Sequence, residues 1–399
     1  MGQGSTFKRR LRDASVVDLL FYLMLLVCVV FQTWGYSFTD RAYMGSVVLM
    51  GILVVAKIAS ARYSASELII CAMLIGSGLF FAVRAHRYTL LLTAVLLIAA
   101  KGIDIDELLE KYLVIKTFAL VALFLLAAVG VFDVTTVQHY RMNTGVFETR
   151  TFINGAQANS IHLGLFTVLV LWFYRKYGRI TLAHLIACIV LDFVLYLGVT
   201  MSMAGLIMTA FGTALMYLCS RFKGVERVVV GLSPAIPFLF LAVALFAGFA
   251  YGSNGFLDAL NRVSTGRIAY DHYWLTTYGI SLFGADYSQL ITEGNFDDSF
   301  IFVPVIYGAV FAAMLYGAVT ALFLKMKRDQ VARGTLLMVL FLIYSFAESM
   351  YPSAVVNPSL FLLGWLFFGG MPKKAAESGD SVQTVSIPSA QHAFTRSYQ

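Results

Sequence analysis

Apolar and polar positions alternate along this chain in long blocks, with extended apolar runs separated by short polar connections. Runs of roughly seventeen to twenty-two residues, long enough to cross a hydrocarbon layer as helix, begin near Val16, Tyr43, Glu67, Tyr88, Tyr112, Asn159, Ala183, Met203, Val228, Asp298, Thr335 and Ser353. The pattern predicts an all-α, polytopic integral membrane protein with about twelve transmembrane helices. Two connections are long, 133–158 and 252–297, the second between spans nine and ten. Within the second, the stretch TGRIAYDHYWLTTYG spaces Arg267, Asp271, Trp274 and Tyr278 along one face of a short interfacial helix that also carries His272. Such a face can hold an anion at the membrane surface. Taken alone it reads as a surface ion pair followed by an aromatic belt.

Composition agrees with the blocks: 59% of residues are hydrophobic, 13% are charged and thirty-three are Phe, more apolar surface than one soluble core of this length buries. The net charge of +7 does not point to nucleic acid, because the basic residues sit in short clusters between apolar runs. Cys28, Cys71, Cys188 and Cys219 all fall within apolar runs, with no CxxC, and read as core thiols. Residues 1–15, with Lys8, Arg9, Arg10 and Arg12, form a basic cytoplasmic head before an apolar run too long for a cleaved signal. Residues 16–370 form the membrane domain, and the Ser-, Ala- and Gln-rich tail 371–399 reads as cytoplasmic and disordered. With both termini inside, Arg41, Arg84, Arg87, Arg141, Arg150, Arg262 and Arg267 fall outside and the other twenty-two of the 29 basic residues fall inside. Every outer basic residue is thus an arginine, the better bidentate ligand for phosphate. Selection against outer lysine gives the same result.

Ionisable side chains near the outer helix ends are the candidates for chemistry, since charge is costly in hydrocarbon. Arg84 and Arg87 flank His86 in a tight turn, where they act as ligands or as snorkelling headgroup contacts. The stretch RTFINGAQANSIH sets Arg150 beside Asn154, Gln157 and Asn159, amides suited to hydroxyls and phosphate oxygens. Asn159 is also a candidate helix N-cap. Asp297 and Asp298 precede an apolar run, where they complement a helix dipole or supply a general base. Glu348 lies at the outer end of the next run. The inner pair Asp104 and Asp106 reads as a helix start rather than a metal-binding DxD. No Walker loop, HExxH, GxSxG or dinucleotide fingerprint is present, so nucleotide, metal and flavin chemistry lack sequence support.

The order of Arg150 and Asn159 leading into a span, TGR at Arg267, LFG at Leu282–Gly284 and DDSFI from Asp297 resembles the Wzy-type polysaccharide polymerases, relatives of the O-antigen ligases, across roughly residues 16–370. The resemblance implies a cofactor-free, metal-independent glycosyltransferase. It would join polyprenyl-pyrophosphate-linked oligosaccharide repeat units into capsular, exopolysaccharide or O-antigen chains on the outer face of the bacterial cytoplasmic membrane. It implies Arg267 on the pyrophosphate and Asp297 or Asp298 as base. Arg150, Asn159, Arg84, Arg87, His272 and Glu348 are candidate substrate contacts. Membrane lipids and a chain-length regulator are the candidate partners besides the lipid-linked donor and acceptor. The chain departs from the family at Asp298 and Phe300, where an Asn and a Tyr are usual, and at Thr200–Gly205, which reads TMSMAG where a Ser-Arg is often found. Two other readings fit the same runs: a ligase that moves finished glycan to a lipid or protein acceptor, and a twelve-span transporter or lipid-linked oligosaccharide flippase.

Overall fold

The computed structural model describes residues 16–36, 40–141, 145–253, 255–286 and 297–369. The basic head, the tail from Met371 and loop residues 287–296 lie outside the described residues. In chain order the helices are α1 (Val16–Thr33), α2 (Arg41–Ser60), α3 (Ala65–Arg84), α4 (Thr89–Ala99) and α5 (Ile105–Ala128). A hairpin of β1 (Val134–Arg141) and β2 (Val146–Ile153) follows. Next come α6 (Ala158–Arg175), α7 (Leu182–Leu195) with a π-turn at Tyr196–Thr200, α8 (Met203–Arg221), α9 (Lys223–Leu232) and α10 (Ile236–Ala250). The chain ends with α11 (Gly255–Val263), α12 (Arg267–Thr277), α13 (Ser299–Phe302) with a π-turn at Val303–Tyr307, α14 (Gly308–Arg328), α15 (Ala332–Tyr344) and α16 (Leu363–Phe368).

Local chemistry sets several of these starts. Ser64 and Glu67 form a reciprocal capping box at α3. Asp104 accepts the Asp106 and Glu107 amides at 2.9 and 3.2 Å to open α5, the helix start expected of the inner acidic pair. Asp106 then bonds Tyr174 of α6 at 2.6 Å and Arg333 of α15 at 2.5 Å, tying three helices together at that end.

Six segments are long and apolar enough to cross a membrane: Ala65–Arg84, Ile105–Ala128, Leu182–Thr200, Met203–Arg221, Lys223–Ala250 and Ser299–Arg328. They present apolar side chains outward, among them Leu68, Val83, Phe118, Leu125, Val194 and Phe246, so the protein is a helical membrane protein. The twelve-span expectation is not met among the described residues. Helix α4 has 11 residues, α15 has 13 and α16 has 6. Eleven residues rise only about 16 Å, half the hydrocarbon thickness. The reason is burial: most of α4 and nearly all of α15 are enclosed by protein, and an apolar run looks the same whether lipid or protein covers it. Helix α6 is enclosed in the same way and packs on α15 through Phe166, whose ring centroid lies 4.5 Å from Tyr344 and 5.2 Å from Phe341.

Two lysines lie inside the bundle. Lys57 pairs with Asp18 of α1, and Lys116, counted with the inner-face charges by sequence, is instead buried midway along α5 with its ammonium 2.9 Å from Thr33 Oγ1. Each has a polar partner, as a buried cation requires.

Connection 133–158, read as a loop, is a regular antiparallel hairpin in which Val137 faces Arg150 and Tyr140 faces Phe147, their rings 5.1 Å apart. Asn154 fastens its base, donating from Nδ2 to the Trp34 carbonyl oxygen at 2.8 Å. The described part of connection 252–297 likewise holds two helices, α11 and α12. Downstream, the LFG glycine carries a packing role: Gly284 (φ +81) and Gly308 (φ +84) cross so closely that a Cβ on Gly284 would fall 2.0 Å from the Ile306 carbonyl oxygen. The Ala285 amide bonds the Val305 carbonyl at 3.0 Å across this junction, pinning the segment after α12 to the break between α13 and α14.

Candidate functional site

At the hairpin end of the bundle, α12 turns the face predicted to be interfacial inward. Trp274 is fully enclosed and Asp271 is buried, so the aromatic-belt and surface-pair expectations both give way to packing against α10. The turn before α12 is built by Asn261, whose carbonyl accepts the Gly266 amide at 2.9 Å and whose Oδ1 accepts the Ala269 amide at 3.0 Å. This fixes the first residue of α12, Arg267. Its Nε lies 3.4 Å from Asp297 Oδ2, and its side chain is only 15% exposed. Residues thirty positions apart in the chain therefore meet.

Asp297 lines two polar cavities at once. The first, ≈460 Å³, is walled by Arg150 and Tyr140 of the hairpin, Asn159 of α6, Ser202 before α8, and Arg267 and Tyr270 of α12. The second, ≈480 Å³, is walled by Arg87, Gln157, Ser160, Glu348 and Ser353. A third cavity, ≈290 Å³ between α3, α4 and α14, contains no ionisable side chain.

The site candidates divide accordingly. Arg267, Asp297, Arg150 and Asn159 share the first cavity, while Arg87 and Glu348 line the second with Asp297. The Arg87 guanidinium also stacks over Phe302, 5.1 Å from the ring centroid. Three candidates are not brought in. Arg84 is exposed on the last turn of α3 and lines neither cavity. His272 is spent on packing, with Nδ1 2.8 Å from the Gly248 carbonyl oxygen of α10. Asp298 is buried and caps α13, accepting the Phe300 amide at 2.7 Å. The N-cap expectation for Asn159 also fails: Gln157 holds that position, and Asn159 Oδ1 instead accepts the Ser202 hydroxyl at 2.8 Å. His139, Tyr140, Tyr270 and Ser202 join the cavity walls without having been singled out by sequence. The β-branched and aromatic run VTTVQHYR was the signal available for the strand that carries the first two.

Four carboxyls face one arginine here, and the electrostatics follow. Burial, and then the Asp297 charge, push Asp271 up to about 7, with Arg267 pulling the other way. Burial, and then Asp297, push Glu348 up to about 8 against the opposing pull of Arg267, an Asn159 hydrogen bond and Arg150. Asp298 is raised well above the carboxylate range, chiefly by burial and next by Asp271. Raised carboxyls favour the folded state when protonated, so this stability is complete below the unfolded value of 4.5 for Glu348 and is lost as pH rises through about 8. Melting temperature in detergent should therefore fall across that window. Glu348→Gln should flatten the fall, and an unchanged slope in that variant would contradict the assignment.

Chemically, the first cavity offers two guanidiniums to an anion, with a carboxylate at its shared wall. Arg267 Nε has no hydrogen-bond acceptor among the described residues, so the ion pair does not saturate it. Compared with models of known protein families, with curated proteins and with solved structures, the chain matches none.

Proposed function

We propose that the protein is a metal-independent membrane glycosyltransferase that polymerises polyprenyl-pyrophosphate-linked oligosaccharide repeat units, with the hairpin end of the bundle on the extracytoplasmic side and both termini in the cytoplasm. The observation that carries this reading is the meeting of Arg267 with Asp297 at the wall between two polar cavities, one of them lined by a second arginine, Arg150. Two substrates that react with each other need adjoining sites with the reactive group between them. In this reading the donor's pyrophosphate lies in the first cavity against Arg150 and Arg267, and the acceptor sugar lies in the second beside Gln157, Ser160 and Glu348. The acceptor hydroxyl attacks the anomeric carbon, its proton passes to Asp297, the anomeric C–O bond breaks, and the lipid pyrophosphate leaves with the electron pair. The guanidiniums stabilise the charge that grows on the leaving group.

The test is the lipid-linked species that accumulates in a deletion strain: single repeats on the carrier for a polymerase. Full-length chains on the carrier would instead identify a ligase. In a purified assay, activity should survive EDTA, and loss restored by Mg²⁺ would overturn the metal-independent mechanism. One observation favours a transport reading, the enclosed His162–Asp192 pair at 2.6 Å within the membrane region. Translocation of a labelled lipid-linked oligosaccharide by reconstituted vesicles would support it, and its absence alongside polymer synthesis would dismiss it.

A further inference from the structure

Beneath the first cavity runs a hydrogen-bonded chain that the proposed chemistry does not use. Helix α7 ends in the π-turn Tyr196–Thr200, Met201 follows in the left-handed region (φ 44), and Ser202 caps α8. An inserted π-turn re-aims the residues after it, and here it brings Thr200 to His162 of α6. His162, Asp192 and Thr200 are all fully enclosed. His162 Nε2 lies 2.6 Å from Asp192 Oδ1 and Nδ1 lies 2.8 Å from Thr200 Oγ1. The ring is clamped against α8 at Gly205, where a Cβ would fall 2.4 Å from the imidazole Cγ.

The donor at each link follows from its chemistry. The Asp192 carboxylate accepts from Nε2–H, and one proton is shared between Nδ1 and the Thr200 hydroxyl, which also reaches the Leu195 carbonyl oxygen at 3.5 Å. The Thr200 oxygen accepts the Ser202 amide at 3.4 Å. Ser202 Oγ accepts the Gly205 amide at 3.2 Å and donates its proton to Asn159 Oδ1 at 2.8 Å. With its carbonyl oxygen engaged on that side, Asn159 keeps its NH₂ for other partners, and its side chain is among the groups that pull the Glu348 carboxyl down against burial.

We propose that Asp192, His162, Thr200 and Ser202 form a membrane-buried positioning network that fixes the orientation of the Asn159 amide, and through it the setting of Glu348. None of the four is a catalytic residue in this account. They act through Asn159, and an ionisable pair retained inside the bundle acquires a use as the anchor of that chain. The geometry stands whether or not the glycosyltransferase reading does. Glu348 is also faced by Asp297 ahead of α13, Arg267 of α12, Arg150 of β2 and Tyr344 of α15, so its titration reports the Asn159 contribution against a fixed background.

The test is pH-difference infrared spectroscopy of the full-length purified protein, with the Glu348 carboxyl band assigned by its loss in Glu348→Gln. Asn159→Ala removes the donor and should raise the titration midpoint by about one pH unit. Ser202→Ala and His162→Ala should raise it similarly, and Ser202→Thr, which keeps the hydroxyl donor, should restore the wild-type midpoint. A wild-type midpoint in Ser202→Ala would overturn the network, as would an unmoved midpoint in Asn159→Ala. The Ser202 pair keeps the proposal falsifiable if His162→Ala does not fold. Because no substrate is present, failure here leaves the glycosyltransferase reading intact, and the accumulated carrier lipids decide that reading separately.

Discussion

Membranes carrying Arg267→Ala are expected to hold single repeat units on the lipid carrier and no long-chain polymer, at unchanged protein abundance. The side chain is mostly enclosed, placed by the Asn261 turn at the start of α12, and within 3.4 Å of the carboxylate shared by the two cavities. Removing one well-placed donor to a developing anion costs roughly 10²–10³ in rate. Few chains would then extend within a generation. Arg267→Lys should recover little of this, because an ammonium supplies a point charge where a planar fork is required. The measurement is a polymer ladder on a gel beside extracted carrier lipids. A wild-type ladder from Arg267→Ala would remove the arginine from the mechanism and with it the main support for the proposed activity.

The second large effect separates two neighbouring aspartates. Asp297→Asn should lower turnover by roughly 10²–10⁴, the usual worth of a positioned general base. Asp298→Asn should leave turnover within a few-fold. Asp298 is buried and caps α13, with its carboxyl pushed well above the usual range by burial and then by Asp271, and asparagine caps as well as aspartate. Asp298→Ala loses the cap and should cost stability of about 1 kcal/mol, read by thermal unfolding. Equal loss of activity in the two Asn variants, with both proteins folded, would assign proton transfer to the pair rather than to Asp297.

Much of the scaffold was legible in the chain itself. The apolar runs became helices, the acidic start of α5 capped as expected, and the helix beginning at Arg267 was foreseen from its spacing. Periodicity identifies which residues share a face but not what the face meets. That is why Trp274 and Asp271 were placed at a surface and are instead enclosed. The same blindness inflated the number of spans, since α4, α6 and α15 are apolar for the sake of neighbouring helices as much as for lipid. His272 and Arg84 looked eligible by type and position, and only packing shows the imidazole against Gly248 and the guanidinium turned outward. The hairpin went unread because eight-residue strands rich in Val, Thr and Tyr were crowded out by the stronger signal of the apolar runs. The pairing of Arg267 with Asp297 lies between these cases. Each residue was eligible alone, while their meeting depends on the way α12 folds back and on the anchor at Gly284.

The π-turn that ends α7 has an evolutionary corollary. Such a turn is an α-helix carrying one inserted residue, and loss of one codon between Tyr196 and Thr200 would close it to a regular helix and draw Thr200 and Ser202 one position back along the chain. Thr200 would swing away from His162 and Ser202 away from Asn159 with every side chain chemically unaltered. The smallest lesion able to dismantle the floor of the first cavity is therefore a deletion rather than a substitution. Lineages should tolerate length change in the exposed connections while holding the residue count between Asp192 and Ser202 constant.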